Sequence, residues 1–133
     1  MDLLTQSLRK RLLANGLCEA DHVPLVKFFN PVGAATWLFS ELGSDGDTLF
    51  GLCDLGFGFP ELGCASLSEI ASVRLPLGLT IERDVHFAAE HPLSAYAEAA
   101  RHCGQITEHP DHLTRAAAAL ARAREQERSR SPP

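Results

Sequence analysis

The spacing of apolar positions changes along this chain from helical to alternating and back, and the changes mark its elements. Leu8, Leu12 and Leu13 fall at helical spacing behind Thr5, a residue suited to an N-cap, and Asn15-Gly16 supplies a stop. Residues 23–29 are β-branched and aromatic, with Pro24 confined to the start of a strand. After the turn Asn30-Pro31-Val32-Gly33, residues 35–42 alternate: Ala35, Trp37 and Phe39 on one face, Thr36, Leu38 and Ser40 on the other. An Asp45-Gly46-Asp47 turn leads to a third strand over Thr48–Asp54. Gly56-Phe57-Gly58-Phe59-Pro60 connects it to a short fourth strand over 61–65, and a symmetric connection would set Cys53 opposite Cys64.

Ser66-Leu67-Ser68-Glu69 reads as a capping box that opens a short helix, with Leu67, Ile70 and Val73 inward. Residues 80–87 read as a fifth strand, with Ile81, Arg83 and Val85 alternating against Glu82, Asp84 and His86. Ser94 and Gly104 bracket a further helix, and Asp111 caps a last one over 112–127. The apolar stripe of that helix is narrow (Leu113, Ala117, Leu120), so it is marginal alone or needs a partner surface. Strands joined by hairpin-length loops, with helices before, between and after them, predict an α+β fold on a mainly antiparallel sheet of about five strands. The expected organisation is one domain at 1–104, a helical extension at 105–128 and a disordered end at 129–133. Phe28 against Phe29, and Trp37 against Leu38, make the sheet apolar on both faces. Helices cover one; the tail helix, a second copy of the chain or another protein covers the other.

Length and composition narrow the picture. The chain has 133 residues, 45% of them apolar and 22% charged, the profile of one globular domain. No apolar run reaches the roughly 18 residues of a membrane span, and the start has no apolar signal core, so a cytoplasmic setting is expected. There Cys18, Cys53, Cys64 and Cys103 are free thiols. Net charge is −5, but unevenly placed: residues 17–90 hold eleven carboxylates against Lys27, Arg74 and Arg83, while from Arg115 onward five arginines face two glutamates. The acidic body disfavours direct nucleic-acid binding and suits a basic partner.

Several segments together resemble an uncharacterised bacterial family. They are Lys27-Phe28-Phe29-Asn30-Pro31, Ala35-Thr36-Trp37, Leu49-Phe50-Gly51-Leu52, Glu61-Leu62-Gly63, Ser66-Leu67-Ser68-Glu69, Pro76-Leu77-Gly78-Leu79 and Ile81-Glu82-Arg83-Asp84-Val85-His86-Phe87. The family is one of the numbered domains of unknown function, whose small single-domain members are often carried on plasmids, integrative elements and phages. The resemblance spans about residues 2–97. Val23 stands where the family usually has an acid, and the tail beyond about Ala100 has no counterpart. The family implies no reaction, cofactor or catalytic residue.

Chemistry-bearing candidates are few. On a continuous strand Glu82, Asp84 and His86 would share a face, with Arg83 on the other, and such a group can hold a divalent metal or move protons. A solvated strand face, with Arg83 paired to a neighbouring strand, is the simpler account and is preferred. His102-Cys103 and His109-x-x-His112 match no common zinc spacing. No nucleophile elbow or phosphate-cradling loop occurs. The leading expectation is a non-enzymatic protein-interaction module without cofactor or metal. It would dock a protein, such as a basic nucleic-acid-binding one, on Glu41, Asp45, Asp47, Asp54, Glu61 and Glu69 with Trp37 beside them. The family's genetic setting suggests an accessory or counter-defence inhibitor. The alternatives are a small metal-dependent enzyme built on Glu82-Arg83-Asp84-x-His86 and a self-associating structural subunit, for instance a homodimer.

Overall fold

A computed structural model describes residues 2–130 of the chain. Five strands form one antiparallel sheet in the order β4-β3-β2-β1-β5. They are β1 (Val26–Phe29), β2 (Thr36–Leu42), β3 (Thr48–Asp54), β4 (Glu61–Ser66) and β5 (Glu82–Arg83). The helices are α1 (Gln6–Gly16), α2 (Leu67–Ser72), α3 (Leu93–Cys103) and α4 (Pro110–Arg130). The predicted α+β architecture is the observed one. None of the described helices is long and apolar enough to cross a membrane.

Both sheet faces are covered, each by the chain itself. Phe28, Trp37, Phe39, Leu42 and Leu49 turn towards α1 and α2, where they pack with Leu12, Leu67 and Ile70. Leu38 and Leu52 turn the other way, onto Leu93, Tyr96, Ala99 and Ala100 of α3 and Leu113 and Ala116 of α4. The cover of the second face is therefore α3 with the first turns of the tail helix. The narrow stripe of α4 suffices because only its start needs a sheet beneath it; every residue from 121 to 130 is exposed. α4 carries Ser129 and Arg130, which had been expected in a disordered end, and 131–133 lie outside the described residues.

Caps came partly from unexpected places. Thr5 Oγ1 accepts from the Leu8 amide at 3.1 Å and Ser66 Oγ from the Glu69 amide at 3.2 Å, as predicted. The rest of the α2 cap comes from Asp47, whose carboxylate accepts from Ser66 Oγ at 2.6 Å and the Ser68 amide at 2.8 Å. α3 begins at Leu93, so Ser94 lies inside it and is no cap; its amide and hydroxyl both donate to Asp21, 73 residues earlier. At α4 the His109 carbonyl accepts from the Leu113 amide, and Asp111 sits within the first turn.

Candidate functional site

The candidate residues Glu82, Arg83, Asp84 and His86 border one cleft without forming a metal-ligand set. β5 is only two residues long, paired as Phe28↔Arg83 and Phe29↔Glu82. It stops at Asp84, whose amide still donates to the Lys27 carbonyl at 2.9 Å while its acceptors turn back on the chain ahead. Its carboxylate accepts from the His86 amide at 2.9 Å, and its carbonyl from the Phe87 amide at 3.3 Å, closing a turn. The strand alternation that would align Glu82, Asp84 and His86 is lost there. The Arg83 backbone pairs with Phe28 of β1, and its side chain donates to the Leu3 carbonyl at 2.8 Å, tying down the N-terminal segment. Lys27 sits between Asp84 at 3.9 Å and Glu108 at 2.6 Å. Lys27, Phe29, Asn30 and Thr36 border an open cleft of about 560 Å³ at the β1–β5 edge, together with Glu82, Arg83, Asp84 and His86. Among the described residues no three His, Cys, Asp or Glu side chains gather as metal ligands would.

The carboxylates expected to form one docking plate are split. Asp45 and Asp47 lie in the β2–β3 loop, and Glu69 lies nearby in α2; Glu41 is towards that end of β2. Asp54 and Glu61 lie at the other end, one strand length or about 20 Å away. Asp54 is 3% exposed, so its charge is not presented to a partner. Trp37, expected beside the plate, is 8% exposed and belongs to the core under α1.

Asp45 and Asp47 organise the chain around them. Asp45 accepts from Thr48 Oγ1 at 2.6 Å and from the Asp47 and Thr48 amides, each at 2.9 Å. The Thr48 hydroxyl, then these amides, hold the Asp45 carboxyl at about 2, below its ordinary 3.8. The Ser66 hydroxyl and the Ser68 amide likewise lower Asp47. A carboxyl lowered by folding stabilises the fold fully above its unfolded value, and that contribution fades as pH falls through the folded one. Thermal unfolding should therefore show stability falling between about pH 4 and pH 2, and Asp45→Asn should flatten the Tm–pH curve in that window while lowering Tm at neutral pH. An unchanged curve would remove these bonds from the account of the turn.

What sequence reasoning passed over is the tip of the β3–β4 hairpin. Phe57 and Phe59 are each 80% exposed, Leu55 58% and Leu62 49%. The available signal was the pairing of each phenylalanine with a flanking glycine in a loop. Gly56 and Gly58 take φ of 91° and 87°, so the backbone turns tightly and the rings are carried outward. The tip is anchored. Asp54 Oδ1 accepts from the Gly56 amide at 2.9 Å, and Oδ2 from the Ile106 amide at 3.0 Å.

Beside the tip runs the free edge of β4. The Leu67 amide donates to the Asp47 carbonyl at 2.8 Å, which fixes the phase of the ladder. Ala65, Gly63 and Glu61 bond inward to β3, and the backbone groups of Leu62 and Cys64 face outward. In this register Cys53 sits opposite Glu61 and Cys64 opposite Phe50, so the cysteines are not across from each other. All four cysteines are free, and burial, with a smaller push from Cys64, raises the Cys53 thiol.

No curated protein and no solved structure matches the chain. A family model described as "Protein of unknown function (DUF2958)" matches residues 3–107. The matched span holds the whole sheet, α1, α2 and α3 and ends just before α4. The chain thus belongs to the DUF2958 family.

Proposed function

We propose that this chain is a non-enzymatic protein-docking module whose contact element is the β3–β4 hairpin. The observation that carries the reading is the pair Phe57 and Phe59, almost bare on a loop that Asp54 fastens to the body. Exposed aromatics on a braced loop are good anchors: each can bury roughly 150–250 Å² and loses little entropy on binding. The outward-facing β4 edge can take an added strand, with main-chain bonds supplying affinity and the two rings supplying specificity. No lysine or proline blunts this edge, and its one charged residue is Glu61.

Charge favours one kind of partner. Glu61 lies at one end of β4, and Asp47 and Glu69 lie at the other, beside Ser66. A second copy paired antiparallel across a two-fold axis would bring Glu61 of each chain towards the acidic end of its mate, which like charges oppose. An extended, cationic segment of another protein meets acid at both ends. The basic partner expected from composition thus finds a place along one strand, without needing a broad plate. Inhibition of a basic nucleic-acid-binding protein, as an accessory of a mobile element, is the use this surface serves best.

The test is co-purification from host lysate under moderate salt. A stoichiometric basic partner should stay with the wild-type chain. It should be lost from Phe57→Ser/Phe59→Ser and weakened about tenfold or more by Glu61→Lys, with Tm unchanged because these side chains are exposed. Equal retention by the variants, or a wild-type chain that runs alone or as a dimer, overturns the reading.

A further inference from the structure

We propose that the cleft between α3 and α4 binds a small organic anion with an apolar body. Its origin is the alanine run of α4. Ala116 packs onto the sheet, but Ala118 and Ala119 are too short to fill the space towards α3, and a cleft of about 560 Å³ remains. That volume lies in the range of small-molecule sites, roughly 300–1,000 Å³. Methyl groups of Ala99, Ala116 and Ala119 give it an apolar lining.

The polar lining is of one sign. Arg115 and Arg122 come from α4, seven residues and about 10 Å apart on one face. His112 follows on the same face, and His102 and Cys103 come from α3. No carboxylate lines the cleft, although the chain as a whole carries −5. The nearest acids sit at its margin: Glu98 pairs with Arg101 at 2.6 Å and with the lining His102 at 2.9 Å, Asp21 pairs with Arg124 at 3.7 Å, and Glu125 borders the far side of Arg122. The ion pairs among the described residues include neither Arg115 nor Arg122.

Two guanidinium groups without carboxylate partners, over an apolar lining, fit a carboxylate, sulfonate or phosphate on a hydrocarbon or aromatic body. The hinge end is also ordered. Thr107 Oγ1 lies 2.8 Å from His112 Nδ1, and Cys103 Sγ lies 3.6 Å from the same nitrogen. His109 stacks obliquely on His112, with ring centroids 4.8 Å apart. His102, Cys103 and His112 thus wall one end of this cleft, with His109 stacked behind His112. Because α4 lies beyond the matched family span, this site comes with the added helix and is independent of the hairpin surface.

The test uses two fluorescent probes that share an arylnaphthylamine body, 8-anilino-1-naphthalenesulfonate with an acid group and N-phenyl-1-naphthylamine without one. The sulfonate should bind the intact chain at one site, with decanoate competing, and the neutral probe should bind about tenfold more weakly or worse. Arg115→Gln/Arg122→Gln should cut sulfonate affinity by about tenfold or more, and Ala118→Trp should abolish binding by filling the cleft. Both arginines are exposed, so the double variant keeps its fold and the measurement stands even if the tryptophan variant does not fold. Phe57→Ser/Phe59→Ser should bind the sulfonate as the wild type does. Absence of binding, equal binding by the arginine variant, or loss in the hairpin variant would each refute the site.

Discussion

Gly51→Ala is expected to leave almost no folded protein, whereas Gly63→Ala, its partner across the β3–β4 ladder, should be tolerated. A Cβ at Gly51 would fall onto the Leu38 carbonyl oxygen, 2.7 Å from Phe39 Cα and 2.9 Å from the Leu38 carbonyl carbon. All three are backbone atoms of the central strand and cannot swing aside. The crowding has a local cause. The β2–β3 register slips between Phe39 and Glu41, making Ser40 the extra residue of a bulge, and the bulged backbone presses on β3 opposite Gly51. Relief would require parting β2 from β3 in the middle of the sheet, where Leu38, Phe39 and Leu52 are fully buried. A loss of about 4 kcal/mol or more is expected, a large share of the roughly 5–15 kcal/mol that holds a domain together. At Gly63 a Cβ meets nothing within 4 Å, so the same change there should shift Tm little. Far-ultraviolet circular dichroism and urea unfolding of the two variants decide the matter. Similar stability in both would mean that the bulge does not press on β3 as described.

The strand β2 was legible because alternation, a local property, records which side chains go in and which go out, and β3 and β4 because turn-forming segments bound them. The N-caps Thr5 and Ser66 were legible for the same reason: the hydroxyl and the amide that it serves lie three residues apart. What failed to show was set by distant parts of the chain. Asp21 serves the start of α3 and Asp47 the start of α2, neither of which a search for nearby caps would find. β5 was overread because the alternation of 80–87 is real, while the Asp84 turn that interrupts it depends on a side chain bonding its own backbone. The acidic plate failed on geometry. Carboxylates that are close in sequence but separated by a strand crossing end up at opposite ends of the sheet, as Asp47 and Asp54 do. Of the surface proposed for docking, the acids Glu61, Asp47 and Glu69 were singled out beforehand and the aromatic tip was not. Phe57 and Phe59 were set aside as part of a connection, although two large apolar side chains between turn-forming glycines have no core to enter.

Removing the Asp54 carboxylate should loosen the hairpin tip and the α3–α4 loop at once. This side chain is nearly fully buried, and each oxygen accepts from one backbone amide: Gly56 in the β3–β4 hairpin and Ile106 in the loop between α3 and α4. It is the latch between the hairpin tip and the helical layer. Asp54→Ala removes the acceptor of both amides; Gly56 is exposed and Ile106 half-buried, so water makes up part of the loss and about 1–3 kcal/mol in total is expected. Asp54→Asn keeps the shape but can offer only its carbonyl oxygen; its amide nitrogen would face an N–H donor, so it should lose about half as much. Hydrogen exchange separates this from general destabilisation. The Gly56 and Ile106 amides should exchange much faster in both variants, while the β2–β3 ladder between Leu38 and Leu52 keeps its protection relative to global stability. A partner held as proposed by the hairpin should then bind more weakly even though Phe57 and Phe59 are intact, because the loop must be reordered on binding. If both amides keep wild-type exchange, Asp54 is no latch, and the hairpin tip holds its shape through its glycine turns alone.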